Sequence, residues 1–221
     1  MTPLIDATEM YLRTVWELEE EGITPIRARL VERLGLSAPA VSETVARLDH
    51  EGLMHVMPDR TLQLTEEGRR IAVSVMRKHR LAELLLTDVI GLEWEQVHIE
   101  ACRWEHVISD LVEERLIALL GSPRTCPHGN PIPGLADDAN PVPLMTMSEA
   151  AKAGMAARIQ RISEKLQGDV DAMRFLRLQG LRPGVDAKLR VEDGGVVAEL
   201  DGRRVPIDAE AADFVYVAAA A

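Results

Sequence analysis

Aromatic residues are scarce in this chain, with two Phe, two Tyr and three Trp among 221 residues. Its cores must therefore be packed from aliphatic side chains and Met, which a hydrophobic content of 47% is enough to supply. Cysteine is nearly absent too. Two thiols, Cys102 and Cys126, exclude a disulfide framework and point to a reducing, cytoplasmic setting. No stretch approaches the roughly 20 consecutive apolar residues of a membrane span. The start, Met1-Thr2-Pro3-Leu4-Ile5-Asp6, lacks the basic patch and apolar core of a secretory signal, so no membrane partner is expected. Positive charge is also short: a net charge of −11 argues against a sequence-blind nucleic-acid binder, though not against a specific one. Within residues 24–60, Arg27, Arg29, Arg33, Arg47 and Arg60 are balanced by Glu32, Glu43, Asp49, Glu51 and Asp59. A DNA-binding reading must rest on pattern.

What the chain does have is a concentration of metal donors. His98, Cys102, Glu105 and His106 fall within an arc of about 100° on one expected helix, because residues three and four apart share a face. His79 and Glu83 form an i, i+4 pair on the helix before it. Singly, each has a bland explanation: Cys102 as a small core residue, His79 as a solvated neighbour of Lys78 and Arg80. Six donors in helical register on two adjacent helices are hard to reach by accident, and together they suit a borderline-soft divalent metal. Met10 lies off the Leu12/Val15/Trp16 stripe of the first helix, either a surface residue or a thioether donor. Cys126-x-His128, in a proline-rich stretch, is weak as a ligand pair and reads as loop. Glu17, Glu19, Glu20 and Glu21 read most simply as a solvated face.

The order of elements upstream is that of a winged helix-turn-helix. A first helix from Asp6 to near Gly22 is followed by helices at 26–34 and 38–51, with Gly35 at the turn and Ser37 as cap. Ala28, Leu34, Leu36, Val41, Val45 and Leu48 are the expected interior. Leu53–Met57 and Thr61–Thr65, flanking Pro58-Asp59-Arg60, form a hairpin wing. Ser37, Pro39, Ala40, Ser42 and Glu43 would face a DNA groove, where small polar side chains suit shape and methyl contacts. Arg27, Arg29, Arg47 and Arg60 are candidates for phosphate contacts, and Ala28, between two of them, is also a candidate DNA-binding position.

A long helix is expected from Thr65 to Val89, broken by Gly91, and a second from Glu93 to about Leu120. Val97, Ala101, Trp104, Ile108, Leu111 and Val112 form a stripe that two helices alone cannot bury, which favours dimerisation. Six of the twelve prolines lie between 121 and 147, marking a linker. Beyond it come a short helical stretch and alternating segments at 187–191, 196–200 and 214–217, consistent with a small, mostly antiparallel β-barrel.

Several motifs resemble the diphtheria toxin repressor / iron-dependent regulator family. They are Thr8-Glu9-Met10-Tyr11-Leu12-Arg13-Thr14, Arg27-Ala28-Arg29, Val41-Ser42-Glu43-Thr44-Val45-Ala46-Arg47, Met76–Glu83, Glu100–His106 and Gly129-Asn130-Pro131-Ile132-Pro133-Gly134. Residues 4–135 match closely and the remainder more weakly. The resemblance implies an Fe(II)-activated homodimeric repressor of iron-uptake genes, with two metal sites per subunit and operator DNA as partner, two dimers per operator being one arrangement. It places a regulatory site on Met10, Cys102, Glu105 and His106, and an ancillary site on His79, Glu83 and His98. Glu164 and Gln167, from an SH3-like domain, add to the ancillary site. A manganese-selective branch carries carboxylates at the Met10 and Cys102 positions, so these residues favour iron; Co(II), Ni(II), Mn(II) and Zn(II) are candidate substitutes in vitro. Position 43, commonly Gln in close relatives, is Glu43 here.

The expected fold is mainly α with small β parts. It comprises a winged helix-turn-helix over 1–73, a helical metal-binding and dimerisation domain over 74–140 with a proline-rich linker to about 147, and an SH3-like β-barrel over 148–221. The expected function is Fe(II)-dependent repression, with a manganese- or other metal-responsive regulator as the alternative. A metalloenzyme is the more distant rival: no HExxH-type motif is present, and four protein donors leave little room for an activated water.

Overall fold

The structure, a computed structural model, describes residues 7–135 and 143–220. The helix start at Asp6 and Pro141 of the proline-rich stretch lie outside those residues. The chain divides into two compact units, Met1–His79 with Cys102–Glu114, and Arg80–Ala101 with Arg115–Ala221. Among the described residues no helix is long and apolar enough to cross a membrane.

The first unit opens with α1 (Ala7–Glu20), α2 (Arg27–Leu34) and α3 (Ala38–His50). Ser37 caps α3, its hydroxyl accepting from the Ala40 amide at 3.4 Å, and Pro39 occupies the first turn, where its missing donor costs nothing. The wing is β1 (Met54–Val56) paired antiparallel with β2 (Leu62–Leu64), Met54 opposite Leu64. Its turn is held by the Asp59 carboxylate, which accepts from the Thr61 amide at 3.0 Å and the Thr61 hydroxyl at 2.7 Å. Leu12, Val15, Leu18, Leu30, Val41, Val45, Leu48, Met54 and Leu62 meet in one core, each contributing roughly 1.5–3 kcal/mol by burial. Leu34, half-buried, packs against this core, whereas two expected core members differ: Ala28 is exposed and Leu36 is 42% exposed. The inner face of α2 is carried by Leu30, and Leu36 stands outward in the turn after it.

The acidic run of α1 is not a solvated face throughout. Glu17 is buried against Arg13 at 2.6 Å, and Glu21 pairs with Arg33. Basic partners from α1 itself and from α2 draw these carboxylates inward.

Next comes α4 (Glu66–Leu84), with Thr65 as its cap: the Thr65 hydroxyl accepts from the Gly68 amide at 3.1 Å and donates to the Gly52 carbonyl at 2.9 Å. The helix continues as a π-helical segment, Leu85–Ile90, and ends at Gly91. The single helix expected over 93–120 is two, α5 (Val97–Trp104) and α6 (Asp110–Leu119). The backbone tightens after Trp104, whose carbonyl accepts from both Val107 and Ile108. Ser109 then starts α6, its side chain accepting from Val112 and its carbonyl from Glu113. Glu105 and His106 thus sit in the turn after α5, so the donor run is not one helical face. On α6, Leu111 and Leu119 are 65% and 64% exposed, large apolar side chains left at the surface.

The second unit is built on a six-stranded antiparallel sheet, ordered β3-β8-β4-β5-β6-β7. Its strands are β3 (Met145–Thr146), β4 (Ala156–Ile162), β5 (Asp186–Glu192), β6 (Gly195–Leu200), β7 (Arg203–Ile207) and β8 (Val215–Ala219). Helices α7 (Met147–Lys152), α8 (Glu164–Gln167), α9 (Val170–Gln179) and α10 (Ala209–Ala212) connect them. The sequence pattern finds β5, β6 and β8; β3, β4 and β7 are additions. β4 carries an irregularity between Ile159 and Arg161. Trp94, Met147, Ile159, Met173, Leu189 and Val217 are among the buried core residues.

The expected proline-rich linker is, over residues 124–135, a packed turn. Thr125 bridges to Pro131, the Cys126 amide donates to Asn130 O at 2.9 Å, and the Gly129 amide donates to Cys126 O at 3.0 Å. Cys126-Pro127-His128-Gly129 is therefore a tight β-turn with proline at its second position. It docks on the end of β4: Ile162 N donates to His128 O at 2.9 Å, and Asn130 Nδ2 donates to Ile162 O at 2.8 Å.

Candidate metal centre and nucleic-acid interface

Two donor groups are described, one in each unit. In the first, Glu105 is the centre. Its carboxylate accepts from Arg13 Nη1 at 2.5 and 2.7 Å, lies 2.6 Å from His79 Nδ1 and 3.1 Å from His106 Nε2. Burial opposes ionisation of Glu105, yet the Arg13 charge and the hydrogen bonds with His106 and His79 overcome it and hold the carboxyl far below its usual range. Burial likewise opposes protonation of His106, but its bonds to Glu105 and to Glu9 Oε2, at 2.5 Å, raise its pKa. Arg13 Nη1 also lies 3.6 Å from Cys102 Sγ. The face of α1 bearing Glu9, Arg13 and, one turn before Arg13, the half-buried Met10 is therefore turned to the 102–106 segment.

Glu9 and Arg13 are members of this cluster that sequence reasoning missed. Helical spacing puts Glu9, Met10 and Arg13 on one face of α1, but nothing in the sequence marks that face as the one that meets the 102–106 segment. His79, grouped by the family pattern with Glu83, is hydrogen-bonded here to Glu105 of the other set.

In the second unit, Glu83, His98 and Glu164 place donor atoms within 4.8 Å of one another. His98 Nδ1 stands 3.5 Å from Glu83 Oε1 and 3.3 Å from Glu164 Oε2. His79 occupies the preceding turn of α4. Gln167 is wholly buried: its amide nitrogen donates to Ile162 O at 2.7 Å, while its Oε1 has no hydrogen-bond partner among the described residues. A buried acceptor oxygen without a donor costs about 1–3 kcal/mol, and a cation would satisfy it. Nitrogen and carboxylate donors beside that oxygen fit a divalent transition metal.

The same carboxylate, Glu83, gathers a further pair. Cys126 and His128, read from sequence as loop, join Glu83 within 4.8 Å, and all three are buried. The proline-glycine spacing of a tight turn was the sequence signal that both side chains would project together. Burial pushes the Cys126 thiol pKa up, and the Glu83 and Glu164 charges push it the same way. Arg80, fully buried, donates to Glu164 Oε1 at 3.1 Å and to the Pro131 carbonyl.

On the winged helix-turn-helix, Ala28, Arg29, Ser37, Pro39, Ala40, Ser42, Glu43, Arg47 and Arg60 are exposed and Arg27 is half-buried. The positions expected to meet DNA all belong to α2, α3, the turn between them and the wing. Arg29 pairs with Glu32 at 3.0 Å and Arg47 with Glu51 at 2.9 Å, exposed pairs worth about 0–1 kcal/mol that phosphates readily replace.

Residues 3–62 match the family described as iron dependent repressor, N-terminal DNA binding domain, and residues 65–134 match iron dependent repressor, metal binding and dimerisation domain. The fold and the donor chemistry define a metal-dependent, DNA-binding transcriptional repressor. The chain is 51% identical over 207 residues to the iron-dependent repressor IdeR of Mycobacterium tuberculosis, covering 89% of each. To the diphtheria toxin repressor of Corynebacterium efficiens it is 49% identical over 223 residues, covering 98% of this chain and 97% of the relative. A solved manganese-dependent transcriptional repressor in complex with manganese superposes with a TM-score of 0.83 at 30% identity, over 97% of this chain and 100% of that one. The chain belongs to the iron-dependent repressor family, whose members are transcriptional repressors and not enzymes.

Proposed function

We propose that the chain is an Fe(II)-activated homodimeric repressor of iron-uptake and iron-homeostasis genes, acting on operator DNA in the cytoplasm. Met10, Cys102, Glu105 and His106 would hold a regulatory ion, and His79, Glu83, His98, Glu164 and Gln167 an ancillary one, two per subunit. Of these, the sulfur donors carry the choice of metal: a thioether and a thiol suit Fe(II) better than the hard Mn(II) ion. The iron-dependent names of relatives near 50% identity support the same reading.

Bound at the regulatory set, the ion supplies a concentrated positive charge and fixed ligand directions. The chain's own residues prepare the site. Arg13 and His79 keep Glu105 ionised and oriented, and Glu9 holds the His106 ring. Because Met10 and Arg13 are on α1, whatever repositions Glu105 also bears on the helix packed behind the recognition helix. The exposed Leu111 and Leu119 of α6 support a partner subunit as their cover.

Operator retention measured anaerobically against free Fe(II) and free Mn(II), at matched salt, tests the reading. Fe(II) should activate at lower free concentration, and a chelator should release the DNA. Equal operator affinity with and without metal would overturn it.

A further inference from the structure

Phosphate contacts position a protein on a duplex but carry no sequence information, which must come from side chains that reach base edges. In a helix-turn-helix these project from the N-terminal half of the second helix, here α3, which lies in the major groove. Val41, Val45 and Leu48, each 0% exposed, turn the inner face of α3 into the core. At 100° per residue Glu43 stands about 180° from that face, with Pro39 one turn before it and Arg47 one turn after. It is the outermost point of the helix. Around it, the exposed Pro39 and Ala40 offer only apolar contact, and the hydroxyls of Ser37 and Ser42, which donate or accept, suit any base. Glu43 alone combines reach with a fixed hydrogen-bonding sense.

The ordinary role of an exposed helical glutamate is an ion pair one turn on. Arg47 stands at that position, but its guanidinium is bonded to Glu51 at 2.9 Å and to Thr8 Oγ1 at 3.4 Å. Glu43 makes no hydrogen bond or ion pair among the described residues. Its carboxylate is exposed and uncompensated on the surface that phosphates approach, which weakens binding unless the DNA presents a donor to it. A carboxylate can only accept. In the major groove guanine shows acceptors at N7 and O6, and thymine an acceptor at O4 and a methyl group. Adenine has a donor at N6, but the N7 acceptor beside it repels an anion. Cytosine shows its N4 amino donor and no acceptor of its own. We propose that Glu43 is the base-reading residue of this chain, its carboxylate accepting from the N4 amino group of one cytosine in each operator half-site. The same charge disfavours any duplex without that amino group, so selectivity rises while non-specific affinity falls. A net charge of −11 acts in the same direction.

The inference rests on the reading of this chain as a metal-dependent operator-binding repressor. Random-sequence duplexes selected anaerobically on the Fe(II)-loaded full chain give the operator, and each base pair of one half-site is then exchanged in turn at matched salt. One position should favour cytosine by about tenfold over the other bases. Glu43→Ala should leave that position without preference, and Glu43→Gln, which can donate as well as accept, should admit adenine there. The other positions should keep their preferences in both variants. Replacing the cytosine by 2-pyrimidinone, which lacks only the amino group, should weaken binding of the unsubstituted protein about tenfold and leave binding of Glu43→Ala unchanged. A cytosine preference that survives Glu43→Ala, an equal loss for 2-pyrimidinone in both proteins, or a half-site with no cytosine dependence each overturns the inference. Metal-dependent selection of a duplex would still stand in all three cases. Its absence would overturn the operator-binding reading and this inference with it.

Discussion

Glu105, a member of the proposed regulatory set, is held charged by its neighbours before any metal is considered. Arg13, His79 and His106 surround it and keep it charged. Cys102→Ser or His106→Ala should abolish metal-dependent operator retention. His79→Ala should instead raise the Fe(II) concentration at half-activation by about 10–100-fold, the usual effect of removing a hydrogen-bond partner from a ligand. Equal activation curves for His79→Ala and the unsubstituted protein would mean that the 2.6 Å contact with Glu105 has no bearing on the site. Metal choice belongs to the same scale. Met10→Asp with Cys102→Glu makes an all oxygen and nitrogen set, and should reverse the Fe(II) and Mn(II) order in an anaerobic operator-binding titration. A retained order would place selectivity in the geometry of the site and not in its sulfur.

Among the elements, the junction of wing and α4 is the tightest. A Cβ at Gly68 would come within 1.8 Å of Leu53 O, and that carbonyl is held in place because it accepts from the Thr65 amide at 3.2 Å. Alanine ordinarily favours a helix, but here Gly68→Ala should destabilise the protein by about 1–3 kcal/mol, as overpacking does, read from denaturant midpoints. A gain in stability would show that the wing yields. This close approach was invisible in the sequence, where Gly68 is one helical residue among others. Helices α1 to α4 and the wing were legible because apolar spacing, Ser37, Thr65 and the Pro58-Asp59-Arg60 turn all agree. The break at 105–109 was not, since the apolar spacing runs through it and the turn is set by backbone bonds to Trp104 O and by Ser109. Six donors could be named from spacing. Arg13 and Glu9 could not, because their role depends on which face of α1 meets the 102–106 segment. Cys126 and His128 were discounted because a proline-rich stretch suggests a linker, whereas its bonds to Ile162 make it a packed turn.

At the scale of the whole molecule, the segment before α5 is tied to α9 by a buried carboxylate. Glu95 is 3% exposed and accepts from Arg177 at 2.7 and 3.0 Å and from Arg174 at 3.3 Å. The bond from Arg177 chiefly holds its pKa below the ordinary carboxylate range. Its stabilisation is therefore complete above the unfolded carboxylate value and is lost as pH falls through the lower folded one. Glu95→Gln should lower the melting temperature near neutral pH and flatten its decline in acid; parallel acid limbs for the two proteins would remove Glu95 from the account. The donors around Glu83 carry a different consequence, one of time. Glu83, His128 and Gln167 are 0% exposed, Cys126 and Glu164 5% and His98 6%, so a hydrated ion reaches none of them until the fold opens locally. The rate of loading should then level off as metal concentration rises, fixed by the opening of the protein and not by encounter, and departure should wait on the same event. Stopped-flow Co(II) absorbance would show that plateau; a rate that climbs linearly to the highest concentration would show an open door. If the plateau holds, occupancy lags behind supply, and the protein carries a short memory of the metal it has recently met.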